Sequence, residues 1–185
     1  NQIKIIENLV NEFSDFARMP KPILKNNDIL IILKDNIKLL NEIDKSIKIN
    51  LVCTKDKILF NCDKEQIGRV FFNLIKNSIE SIQQKNEKNP DFDKKILIEI
   101  LINNDHINFT LVDNGIGFSS IKNDIKEILN PYYTTKKNGT GLGLSIVNKI
   151  INDHNGELTF HTLPNGAKIE INFRLNGNWN SNSWW

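Results

Sequence analysis

The sequence has too few cysteines for a disulfide framework and too little charge imbalance to single out a polyelectrolyte partner. Its two cysteines, Cys53 and Cys62, stand without metal-site company. They are expected to be reduced core or strand residues of a cytosolic protein. A formal net charge of +2 gives no reason to expect nucleic acid or a membrane surface as partner. No apolar run reaches the roughly 18 residues that a transmembrane helix requires. No secretory signal is visible either, so no membrane contact is expected from this stretch and a cytoplasmic location is. Internal repeats are absent. At 185 residues, with 39% hydrophobic and 25% charged residues, the chain can bury a sizeable core.

Glycine is scarce too, with nine residues in the chain. Five of the nine fall in two clusters, Asp113-Asn-Gly-Ile-Gly-Phe118 and Gly139-Thr-Gly-Leu-Gly-Leu-Ser-Ile-Val147. Glycine lets backbone amides approach a phosphate with no side chain in the way. A helix that starts directly after the second cluster presents unpaired N–H groups and a partial positive charge to an anion. The Asp that opens the first cluster offers an acceptor for the exocyclic amine of a base. Together these features point to a nucleotide.

Further elements occur in a fixed order around the clusters. Upstream lies Gln66-Ile-Gly-Arg-Val-Phe-Phe-Asn-Leu-Ile-Lys-Asn-Ser-Ile-Glu-Ser81, between them Pro131-Tyr-Tyr-Thr-Thr-Lys136, and after them Asn165-Gly-Ala167. Over about residues 45–175 this set resembles the ATP-binding domain shared by sensor histidine kinases, gyrase-type ATPases, Hsp90 and MutL. The Asn helix is similar to their N box, and Asp113 to Gly117 is similar to the first glycine box. Tyr132 to Lys136 resembles the F box of the kinases, and Gly139 to Gly143 the second glycine box. The resemblance implies ATP and Mg²⁺ as ligands. It implies ATP contacts from Asn73, Asn77, Asp113, Gly115, Ile116, Gly117, Tyr133, Thr134, Thr135, Lys136, Gly139, Thr140, Gly141, Leu142, Gly143 and Leu144. Asn77 would be the Mg²⁺ ligand.

The residues themselves bear on these roles. On a helix over Lys64–Gln84, the residues Ile67, Val70, Phe71, Leu74, Ile75, Ile79 and Ile82 form an apolar stripe. Asn73, Asn77 and Glu80 share one flank of it. An amide oxygen there suits a hard cation. In the gyrase-like relatives the position of Asn73 holds a Glu that activates water. Asn has no titratable group and cannot be a general base, which favours phosphoryl transfer over simple hydrolysis. Glu80 occupies a position where some kinases carry a phosphate-contacting Lys or Arg, so Lys136 is expected to supply that charge instead. Asp113 follows an apolar strand and is expected in a pocket lined by Ile116 and Leu142. Residues Phe118 to Thr140 would form a lid over the nucleotide, anchored by Tyr132 and Tyr133. One short helix is expected in it, from Ile121, Ile125, Ile128 and Leu129. The segment from Ser119 to Gly141 is expected to be mobile when empty.

The remaining pattern gives the architecture. Ile6, Leu9, Phe13 and Phe16 recur at helical spacing and Pro20-Lys-Pro22 ends that helix. Residues 1–20 resemble the end of the second dimerisation-hairpin helix of a nitrogen-regulation-type kinase. Asp28 is expected to cap a helix to about Glu42. Strands are expected at Ile47–Thr54, Ile58–Asn61, Lys95–Ile102, His106–Asp113, Glu157–Thr162 and Ala167–Leu175, and a helix at Leu142–Asp153. The class is therefore α+β, a two-layer α/β sandwich. A mixed, mostly antiparallel sheet is expected to carry helices on one face, with an N-terminal helix added; the resemblance implies that this is the Bergerat-type ATP-binding fold. The resemblance implies that residues 21–175 form the catalytic and ATP-binding domain. Residues 176–185, which hold all three tryptophans, are expected to be a flexible tail.

A phospho-accepting histidine is usually followed by an acidic residue. His106 is followed by Ile-Asn, His154 by Asn-Gly and His161 by Thr-Leu. The acceptor is thus expected on a dimerisation helix outside this chain, in a homodimeric parent that serves a response regulator. Two other readings use the same fold. One is a regulatory module that binds nucleotide and transfers nothing, and the other is an anti-sigma-factor-type Ser/Thr kinase.

Overall fold

The computed structural model describes residue 14 and residues 18–118, 125–136 and 139–175. The expected N-terminal helix around Ile6, Leu9, Phe13 and Phe16, the beginning of the short helix at Ile121 and the tryptophan tail lie outside the described residues. In chain order the elements are β1 (Lys25–Asp28), α1 (Ile29–Asn41), β2 (Lys48–Cys53), β3 (Leu59–Cys62), α2 (Lys64–Lys88), β4 (Lys95–Ile102) and β5 (His106–Asp113). A 3-10 turn (Ile125–Leu129), α3 (Gly143–Asp153), β6 (Gly156–Leu163) and β7 (Gly166–Arg174) follow.

Alternation of apolar and polar residues builds the main sheet. Ile96, Ile98 and Ile100 of β4 and Ile107, Phe109 and Leu111 of β5 are all buried. Asn103 closes their hairpin, its side-chain oxygen accepting from the N–H groups of Asp105 at 3.1 Å and His106 at 2.7 Å. The hairpin of β6 and β7 pairs Phe160 with Ile169 and joins β5 through Ile169 opposite Leu111. β2 adds to β4 in parallel. The sheet order is β2-β4-β5-β7-β6, antiparallel except at β2.

The helices cover the apolar face. Every residue of the expected α2 stripe, from Ile67 to Ile82, is buried. Phe71 of α2 meets Phe109 of β5 at 5.1 Å between ring centres, and Phe60 of β3 meets Phe173 of β7 at 4.9 Å. The architecture is the expected mixed, mostly antiparallel sheet with helices stacked on it. Among the described residues no helix is long and apolar enough to cross a membrane.

Asp28 caps α1 by accepting from Leu30 N–H, and the same oxygen accepts from Ile58 N–H, each at 3.1 Å. A feature without apolar alternation is β1, which pairs with β3 in a separate two-stranded sheet. Its residues Lys25-Asn-Asn-Asp28 are polar, and Asn27 Nδ2 donates to Cys62 O at 2.8 Å. α2 also runs past the expected end at Gln84 to Lys88.

Candidate nucleotide-binding site

The site forms where the end of β5 meets α2. Asp113 is only 3% exposed. Its Oδ2 accepts from the Ser78 hydroxyl at 3.1 Å and its Oδ1 from Gly115 N–H at 2.9 Å. Burial pushes its carboxyl above the usual carboxylate range, against the pull of those donors and of Lys85.

The first glycine cluster lies pressed on α2. Ile116 N–H donates to Ser81 Oγ at 3.1 Å. A Cβ on Gly115 would stand 2.2 Å from that same oxygen. Gly117 has φ of 63°, and a Cβ there would meet Gly166 O at 2.2 Å. Asn114 secures the turn from the other side. Its Oδ1 accepts from Lys95 N–H at 2.9 Å, and Lys85 Nζ donates to its main-chain oxygen at 2.7 Å.

The second cluster closes on the segment before it. Tyr132 N–H donates to Gly141 O at 3.0 Å, and a Cβ on Gly141, at φ of 71°, would run into the Tyr132 backbone. Thr134 Oγ1 accepts from Lys136 N–H at 3.1 Å, while Gly139 N–H donates to Lys136 O at 3.2 Å. Tyr133 packs against the core, and Thr135 is exposed. Thr140 Oγ1 accepts from Leu142 N–H at 3.4 Å. Leu142 is fully buried, and Leu144 is partly buried against the core. α3 begins at Gly143 with no side-chain hydrogen bond from its cap, Leu142. Its first-turn amides are thus of the kind that serve anions.

The flank of α2 differs in detail from its expected use. Asn73 Nδ2 donates to Arg69 O at 3.0 Å, one turn back in its own helix. Lys136 Nζ donates to Asn77 Oδ1 at 2.8 Å and forms an ion pair with Glu80. The lysine expected to face phosphate therefore sits on the amide oxygen expected to face metal. Asp113 docks on Ser78 and Lys136 on Asn77, so both glycine regions meet one turn of α2.

Ser78, Ser81, Lys85 and Asn114 hold this arrangement and were not among the candidate site residues. Ser78 and Ser81 lie in the Asn-helix motif, and their i, i+3 spacing on the flank facing the first cluster was the available signal. The expected lid falls partly outside the described residues, because 119–124 and 137–138 are not among them.

The chain matches the family of histidine kinase-, DNA gyrase B- and HSP90-like ATPases over residues 62–177, and it belongs to that family. The site of that family binds ATP. A relative in Rickettsia bellii, named as an NtrY-like sensor histidine kinase, is 33% identical over 171 residues, covering 92% of this chain and 27% of that protein. Sporulation kinase E of Bacillus subtilis is 32% identical over 160 residues, covering 85% of this chain and 20% of that protein. The chain thus spans about a quarter of the length of such relatives. Among solved structures, the histidine kinase ThkA bound to the response regulator TrrA superposes with a TM-score of 0.75 at 20% identity, over 95% of this chain and 49% of that one. The nucleotide-free catalytic domain of ThkA superposes with a TM-score of 0.69 at 23% identity, covering 82% and 95% respectively. These two likenesses are of fold.

Proposed function

We propose that this chain is the ATP-binding catalytic domain of a two-component sensor histidine kinase. Its parent transfers the γ-phosphate of ATP to a histidine on a dimerisation helix outside this chain, and then to a response regulator. Residues 1–20 are the end of that helix hairpin, 21–175 the catalytic domain and 176–185 a tail. The parent is a homodimer whose kinase part works in the cytoplasm.

Asp113 accepts the exocyclic amine of adenine. Gly115, Ile116 and Gly117 let the base approach, with Leu142 as an apolar wall. The amides at Gly141, Gly143 and Leu144 and the segment Tyr133 to Thr140 surround the phosphates. Asn77 binds Mg²⁺, which when bound neutralises phosphate charge. Its fit is supported by its Oδ1, which already accepts from a cationic group. Asn73 has no titratable group with which to take a proton from water, so the phosphoryl group is kept for transfer.

The observation that carries this reading is the buried Asp113 carboxyl, which accepts from Ser78 and Gly115 at the head of the first glycine cluster. Asp113→Asn should weaken ATP binding by about 1–3 kcal/mol, read by calorimetry. Unchanged affinity would remove the adenine assignment. A second test concerns transfer. Of the three histidines, His154 is buried and His161 pairs with Glu170 on the sheet, while His106 opens β5 with Ile-Asn after it in place of an acid. Incubation of this chain with labelled ATP should leave no acid-labile label, whereas chain extended by its upstream helix should acquire one.

A further inference from the structure

Two oxygens of different residues converge on one positive centre at the flank of α2. They are Asn77 Oδ1, 2.8 Å from Lys136 Nζ, and a carboxylate oxygen of Glu80 in the ion pair with the same nitrogen. We propose that Asn77 and Glu80 together form the divalent-cation site of this protein, and that the Lys136 ammonium is its resident cation until a metal displaces it. The inference rests on Asn77 as metal ligand and adds to it a second acidic group and a built-in competitor.

The donor set fits a hard ion, because amide and carboxylate oxygens are what Mg²⁺ takes alongside waters and phosphate. Only a cation has reason to sit between them, and one already does. The present occupant is exchangeable. The side chains of Glu80 and Lys136 are 35% and 39% exposed, and ion pairs this wet hold weakly. The backbone at Lys136 is pinned on both sides, to Thr134 Oγ1 and to Gly139 N–H. Exchange therefore needs movement of the lysine side chain alone. Lys76 Nζ lies 3.9 Å from the other Glu80 oxygen and stays as a partial counter-ion when Lys136 leaves.

The arrangement also accounts for an acid at position 80, next to where phosphates would lie. Without metal, Glu80 draws Lys136 away from the phosphate side and onto Asn77. With metal in place, Glu80 holds it directly or through a metal-bound water, and the freed ammonium is available to phosphate oxygens. Metal entry and the lysine–phosphate contact then become one linked event.

The test uses the whole chain, free of nucleotide, with Mn²⁺ alone as probe and free Mn²⁺ measured by electron paramagnetic resonance. Lys136→Met should bind Mn²⁺ roughly 3-fold or more tighter than wild type, the scale on which a solvated ion pair competes. Adding Glu80→Gln to Lys136→Met should reverse that gain, and adding Asn77→Ala should abolish binding. Equal Mn²⁺ affinity in wild type and Lys136→Met would overturn the proposal, as would an unchanged affinity on adding Glu80→Gln. ADP binding in chelator, without metal, reports on the nucleotide site separately. Its absence in wild type would defeat the function proposed above without touching the order of Mn²⁺ affinities.

Discussion

The main-chain N–H of Asp63 donates to Nε2 of His154 at 3.0 Å, joining the start of α2 to the end of α3. The other ring nitrogen, Nδ1, lies 2.7 Å from Ile150 O and donates to it. With one nitrogen accepting and the other donating, the ring is neutral. The Asp63 side chain caps α2 at the N–H groups of Glu65 and Gln66, and its second oxygen accepts from Ile23 N–H at 2.8 Å. Three segments of the chain are thus tied at one residue.

Stability should fall in mild acid through this contact. Burial holds His154 below the usual histidine range, against the upward pull of Ile150 O and Asp63. The unfolded chain binds a proton there near the ordinary value of about 6.5, and the folded chain does so only at lower pH. The contribution is therefore full above that value and is lost as pH drops toward the folded pKa. Urea midpoints should be lower at about pH 5.5 than at about pH 7.5. His154→Gln should narrow that difference while costing about 1–3 kcal/mol at the higher pH.

Asp113 should show the opposite sign. Its carboxyl is raised by burial, so its stabilising contribution is fully present below the unfolded value of about 3.9 and is lost as pH rises through the folded pKa. Asp113→Asn removes the buried charge and keeps the shape. The empty variant should be more stable than wild type by about 1 kcal/mol at neutral pH, with the gain shrinking in acid. Denaturation curves across pH, set beside calorimetry with ATP, would show stability gained where binding is lost.

Gly166 tolerates no side chain. A Cβ there would lie 1.8 Å from Asp113 O, and its φ of 114° suits only glycine. Gly166→Ala combines backbone strain with overpacking and should cost about 3 kcal/mol or more. Gly68→Ala, where the nearest atom would be 3.6 Å away, should be tolerated in the same denaturation assay.

The two cysteines should differ sharply in reactivity. Cys62 has no exposed surface, and burial pushes its thiol up to about 11. Cys53 ends β2 partly exposed. Alkylation of the native chain followed by mass spectrometry should label Cys53 alone, with Cys62 labelled only after denaturant.

Much of this fold was legible because its signals are local. The α2 stripe, both hairpins and the Asp28 cap each need only a few consecutive residues to declare themselves, and each lies within two residues of its expected bounds except the end of α2. β1 was not legible, since Lys25-Asn-Asn-Asp28 pairs only because β3 presents the matching edge. The parallel union of β2 with β4 spans α2 in sequence and leaves no short-range mark. At the candidate site, residue types pointed to the chemistry, but partners did not follow from them. Spacing on α2 put Asn77 and Glu80 on one flank, yet no pattern within the helix could indicate that Lys136 would bridge them. His154 looked like an ordinary helix end for the same reason, as its partner is 91 positions away.

Asn77 and Ser78 are adjacent in α2, and one meets Lys136 while the other meets Asp113. On the proposed reading, the base end and the metal end of the nucleotide are both gauged from a single peptide unit. A rotation or one-residue slip of α2 would move the two reference points together, about 100° around the helix axis. Mutational drift therefore has no route to loosen one end and retain the other by altering this helix. Selectivity for the base and dependence on the metal would have to be inherited as a package, and any separation of the two must come from the loops.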